Sequence, residues 1–165
     1  MKAIELIRGN LERSRNRVLG KIEDMREQSL VFPTPNGGCH TRWLLGHLAH
    51  SENQIVQVMM LGKENEIAEW GELFGMKTDP SPDAAYPEFD RVLEAARSVR
   101  ESTIALVDTL SEEDLDRASV NCPEGREAAF GTYGLCLQFA ADHWLMHRGQ
   151  MADARRAAGI GRAGP

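Results

Sequence analysis

Apolar residues recur along the chain at three, four and seven positions, the spacing of one face of a helix, and no segment alternates as a half-buried strand does. In the first unit the stripe is Ile4, Ile7, Leu11, Val18, Ile22 and Met25, ended by the loop Pro33 to Gly38. A second helix is expected from Thr41, whose hydroxyl can cap free backbone N–H groups, to about Gly62. Residues 62–87 are rich in Gly, Pro and Asp and read as a long connection, with room for one short helix around "NEIAEWGELFG". The third helix, Glu88 to Leu110, carries Val92, Ala96, Val99, Thr103, Leu106 and Leu110 on one side. "SEEDL" at 111–115 is a Ser N-cap before acidic residues, a turn or two of helix. The fourth helix spans Ala128 to Ala158, with a weak start at Gly131 and Gly134 and a terminator at Gly159. Four helices with one long crossover between the second and third predict an all-α four-helix bundle. It forms a single domain over residues 1–159, with 160–165 as a flexible tail.

Composition narrows the function classes. The chain has 165 residues and a formal net charge of −6, and its Lys and Arg are scattered. That argues against a nucleic-acid partner, which requires a basic face. No run approaches the roughly 20 apolar residues of a membrane span, and the opening "MKAIELIRGNLERSRNR" is unlike a signal peptide. Three irregularly spaced cysteines do not make a disulfide framework, which fits a reduced cytoplasmic protein.

The candidate chemistry lies in the histidines: His40, His47, His50, His143 and His147. A single histidine is more often structural than a ligand, so position decides. His143 and His147 are four apart and project from one helical face, offset by about 40° and about 6 Å. That face also carries Cys136, Phe139, Ala140, Met151 and Ala154, the buried stripe. His47 shares its stripe with Leu44, Leu48, Ser51, Ile55 and Val58. Three imidazoles from two helices thus point into an apolar interior, where each unpaired ring nitrogen costs about 1–3 kcal/mol. A divalent ion such as zinc or nickel removes that cost, and three protein ligands leave a position open for water or substrate. The alternative is a bundle whose core histidines are satisfied without metal.

The other polar residues are weaker candidates. His50 falls about 60° from His47, at the stripe's edge, and suits a rim position. Cys39 and His40 precede the second helix, and two ligands alone make a weak site. Cys136 is about 10 Å along the helix from His143 and reads as core. Glu52 is about 140° from His47, unsuited to joining it as a ligand. Asp142 reads equally as solvated or as a partner behind a ligand. Gln54 and Gln150 could hydrogen-bond a water or substrate, or simply be bundle-end polar groups.

Several stretches carry a resemblance. "TRWLLGHLAHSE" (41–52) is similar to the first ligand-bearing helix of the DinB/YfiT-like family. "HWLMHRGQM" (143–151) resembles that family's late His-x-x-x-His-x-Gly-Gln motif, followed by "ARRAAG". "AEWGELFG" and "LSEEDL" stand in the family's order, so the likeness covers nearly the whole chain. It implies an up-down-down-up bundle, often a homodimer, with one divalent metal on His47, His143 and His147. It also implies a small-molecule substrate. The family's activities are thiol-dependent transfer or isomerisation, using a low-molecular-weight thiol, and metal-dependent hydrolysis. A non-catalytic, metal-organised binding or regulatory bundle is the alternative. Cys39–His40 departs from the family pattern, and no general base is singled out.

Overall fold

The computed structural model describes residues 1–161. Among these the chain is helical, with no strand and two isolated backbone bridges. The long helices are α1 (Ala3–Leu19), α2 (Thr41–Asn53), α4 (Phe89–Val107) and α6 (Tyr133–Ala157). The short helices α3 (Gly71–Phe74) and α5 (Glu127–Phe130) lie in the connections. No helix among the described residues is long and apolar enough to cross a membrane. Of the expected tail, Ile160 N–H donates to the Arg155 carbonyl, while residues 162–165 lie outside the described residues.

Polar contacts at the bundle's edges give the helix directions. Arg8 of α1 pairs with Asp108 at the end of α4 (2.5 Å), and Glu23 pairs with Arg97 (2.5 Å), so α1 and α4 run antiparallel. Asn10 bonds Gln138, and Arg155 donates to the Lys21 carbonyl, so α1 and α6 run parallel. Arg42 and Glu52 of α2 meet Glu88 and Arg100, so α2 runs with α4. Parallel neighbours need a connection that returns along the whole bundle, and residues 61–88 supply it. α3 sits inside that crossover and comes very close to α2. A Cβ built on Gly46 would stand 2.4 Å from the Phe74 ring, so only glycine admits the approach.

The elements differ from their sequence-based bounds where local chemistry overrides periodicity. The first unit is not continuous to Met25. It ends at Leu19, and a tighter 3₁₀ segment, Ile22–Gln28, delivers Ile22 and Met25 to the core. The cap of α2 is His40 and not Thr41: His40 Nδ1 accepts the Trp43 N–H at 3.1 Å, and Thr41 is the first helical residue. The last turns of that helix, Gln54–Met60, widen to π geometry and stop before Gly62, whose φ of +70° suits a glycine. The expected stripe of α4 is rotated. Leu93, Ile104 and Val107 are buried, whereas Val99, Leu106 and Leu110 are half-buried. The expected fourth helix is split: α5 ends at Phe130, and Thr132 caps a new helix by accepting the Leu135 N–H. Ser111 and Asp114 cap the 3₁₀ turn Glu113–Asp116, as "SEEDL" predicts.

The core forms two apolar clusters. One gathers Trp43, Leu48, Trp70, Phe74 and Trp144, and the other Leu11, Val56, Phe130, Tyr133 and Leu137. Along α2, α4 and α6, the segment between the clusters carries Glu52, Arg100 and His143. Burying charge there is tolerable only with complete pairing. Arg100 achieves it: Nε and Nη2 hold both oxygens of Glu52, Nη1 reaches the Leu11 carbonyl and Ser14, and Nη2 reaches the Ala140 carbonyl. The guanidinium also lies 4.1 Å from the centre of the Trp144 ring.

Candidate metal centre

His47, in the middle of α2, and His143 and His147, one turn apart on α6, meet beside the apolar cluster of Trp43, Phe74 and Trp144. One ring nitrogen from each lies within 4.8 Å of the other two, and together they form a group that could hold a metal ion. His143 Nε2 is 3.3 Å from His47 Nε2 and 3.0 Å from His147 Nε2. The rings cross nearly edge to face, at 64° to 84°, so the nitrogens converge on one point.

Each ring is held from behind. His47 Nδ1 lies 2.8 Å from the Phe74 carbonyl, which can only accept, so Nδ1 carries the proton. Trp43 stacks on the same ring at 4.6 Å, and its indole N–H donates to the Leu73 carbonyl. The crossover thus fixes the orientation and the tautomer of His47, and its glycine-dependent approach at Gly46 makes that possible. His147 Nδ1 donates to Gln150 Oε1 at 2.5 Å. Phe139 stacks on His143, whose buried Nδ1 has no partner among the described residues.

These bonds leave a conflict that a cation resolves. With protons on Nδ1, His47 and His147 both present Nε2 lone pairs. His143 Nε2 faces both and carries at most one hydrogen, so at least one close contact sets lone pair against lone pair in any neutral tautomer. Two ligands of a tetrahedral ion at about 2.0–2.1 Å are separated by about 3.3 Å, close to the distances here. The residues therefore fit a metal of the kind imidazole binds.

The electrostatics point the same way. Burial, followed by His147, His47 and Arg100, pushes the His143 pKa down to about 3. Burial also pushes His47 down to about 4, against the opposing pull of the Phe74 carbonyl. Burial lowers His147 as well, opposed by Gln150. All three are neutral near pH 7, the state in which imidazole is a ligand.

The remaining candidates take other places. His50 is half-buried on the side facing Gly71, a rim position. His40 serves as the helix cap between Phe32 and Tyr86, apart from the three-histidine group. Cys39 is half-buried against the cluster of Trp43 and Phe74, and Cys136 is core, its thiol beside Ser119 and the Phe130 carbonyl. Asp142 is exposed and bonds Gln138, and Gln54 bonds Asn65. Of the two glutamines only Gln150 belongs to the centre, and it supports a ring. Sequence reasoning missed the Phe74 carbonyl, which has no side-chain signal, and the Glu52–Arg100 pair, whose charge reads as surface.

Comparison with known proteins adds a family. Among curated proteins nothing matches. The crystal structure of a conserved protein from Enterococcus faecalis superposes with a TM-score of 0.58 at 18% identity, over 96% of this chain and 99% of that one, which shows a shared fold. The sequence profile described as the DinB superfamily matches residues 10–151. The chain therefore belongs to the DinB superfamily.

Proposed function

We propose that the protein is a divalent-metal-dependent enzyme that activates a thiol or a water, as a thiol-dependent S-transferase or a hydrolase, at His47, His143 and His147. The observation that carries this is the convergence of three neutral imidazoles whose Nε2 atoms cannot all be hydrogen-bonded to one another. A zinc or nickel ion held there supplies positive charge that lowers the pKa of a thiol or water and steadies the anion formed. The chain's own residues prepare the place. Neutral ligands leave the ion's charge uncompensated, and Trp43 and Phe139 keep water from the ring faces on the core side. His147 is half-buried, so the open side lies toward solvent, where a small substrate and a low-molecular-weight thiol can enter.

Elemental analysis of untagged protein tests the reading, combined with native mass spectrometry for a co-purified thiol. One equivalent of zinc or nickel is expected, lost in His143→Ala, with turnover in thiol-transfer or hydrolysis assays that depends on the same residue. Untagged protein that neither holds nor takes up metal, or activity indifferent to His143→Ala, would overturn the proposal.

A further inference from the structure

The last turns of α6, the end of α1 and the residues just after it enclose a cavity of about 210 Å³ that none of the three histidines lines. Five of the chain's 19 Lys and Arg line it: Arg17, Lys21, Arg148, Arg155 and Arg156, and no carboxylate does. In a chain of net charge −6 this is a local reversal of sign. From outside the cavity, Asp24 and Asp153 pair with Arg155 and Arg156. Arg17, Lys21 and Arg148 make no ion pair among the described residues.

Two further observations indicate that something is to be bound here. Arg155 is 5% exposed, and its Nη groups are held by the Lys21 carbonyl, Asp24 and the Gly161 carbonyl, yet its buried Nε–H has no acceptor among the described residues. The single ion pair to Asp24, itself largely exposed, leaves this buried guanidinium only partly neutralised and its positive charge felt at the cavity wall. Gly149 lies inside α6, where glycine is unfavourable, and a Cβ added there would meet nothing within 4 Å. No packing demands this glycine, and it lines the cavity, so its missing side chain keeps the space open. Beneath the cations, Val18, Ile22 and Met151 give an apolar floor.

We infer that this cavity binds a small dianion with an apolar body, its charged end held by Arg17, Lys21, Arg148 and Arg155 and its body on Val18, Ile22 and Met151. A phosphomonoester and a compact dicarboxylate share that chemistry, since the guanidinium fork recognises both. The inference is independent of the metal reading, because it uses none of the same residues.

Titration calorimetry on the metal-replete protein tests it with phenyl phosphate and phthalate as probes and inorganic phosphate and phenol as controls. At least one aromatic dianion is expected to bind saturably and more tightly than either control, and to weaken as salt screens the charges. Which dianion binds tighter identifies the head group. Arg17→Gln with Lys21→Gln, at exposed positions, is expected to weaken binding about tenfold or more while metal content stays unchanged. Gly149→Leu, which fills the space without altering charge, is expected to weaken it as well. His143→Ala should bind the probe as the parent protein does. No saturable binding of either dianion overturns the proposal. So does binding that survives Arg17→Gln/Lys21→Gln and disappears in His143→Ala, which would assign the anion to the metal centre.

Discussion

Arg100 and His143 are close neighbours in the bundle, since Arg100 bonds the Ala140 carbonyl three residues before His143. Both are buried polar groups between apolar clusters, and they are completed to different degrees. All three guanidinium nitrogens of Arg100 are in hydrogen bonds, and both oxygens of Glu52 are engaged. Around His143, one nitrogen has no partner and the other faces two lone pairs with a single hydrogen to offer. A closed polar network needs nothing from outside and acts as structure, tying α1, α2, α4 and α6 together at one level. An open one of converging acceptors is a candidate site, since it could hold a metal ion.

The sharpest way to break that contrast is to remove one member of the closed network. Glu52→Ala leaves Arg100 buried without its counter-charge and is expected to destabilise the protein by about 3–5 kcal/mol in urea unfolding. Replacing both partners, Arg100→Met with Glu52→Leu, should recover most of that loss, because a buried pair often does no better than an apolar one of similar volume. If Glu52→Ala proved as stable as the parent protein and instead lost metal, the division between the two networks would fail.

The open network responds to metal and to acid. Zinc or nickel at a hundred times its dissociation constant is expected to stabilise the fold by about 2.7 kcal/mol, read as a rise in melting temperature. His143→Ala should abolish that rise, and Arg17→Gln should not. Metal-free protein is expected to lose stability in mild acid. The unfolded chain takes up protons at the usual histidine pKa of about 6.5, whereas folded His47 and His143 resist until about 4 and about 3. Stability from their neutral burial is therefore full above 6.5 and declines as the pH falls through that window, by about 2 kcal/mol at pH 5 for one such histidine. Chemical denaturation at pH 7.5 and pH 5 measures it. A metal-free protein equally stable at both would show that the rings are not buried neutral.

Much of the centre was readable from sequence because it depends on helix periodicity. Two histidines four apart on an apolar face, and a third amid the stripe of α2, are fixed by rotation per residue. The structure brings those three together. What escaped depends on contacts between elements. A charged residue such as Arg100 reads as solvated until Glu52, on another helix, is known to face it, and for the same reason periodicity alone sets the buried face of α4 off its true position. The cap at His40 escaped because a histidine nitrogen did the work expected of the Thr41 hydroxyl. The Phe74 carbonyl escaped because any residue has one. The break after Leu19 left the stripe intact, since Ile22 and Met25 are buried in either conformation.

The smallest effect tests how much of the open site is held from behind. His47 is oriented by a backbone carbonyl that no substitution removes, whereas His147 is oriented by Gln150, an exposed side chain on the following turn of α6. A partner that fixes a ligand's tautomer usually contributes tenfold to a hundredfold in metal affinity. Gln150→Leu is expected near the lower end, about tenfold, because water can replace an exposed amide. Competition with a chelator would measure the change, and Gln150→Glu should restore or exceed the parent affinity, since a carboxylate accepts the same N–H more strongly. Affinity unchanged in Gln150→Leu would mean that His147 is oriented by the helix alone, and that preorganisation of the centre rests on His47 and the crossover that carries Phe74.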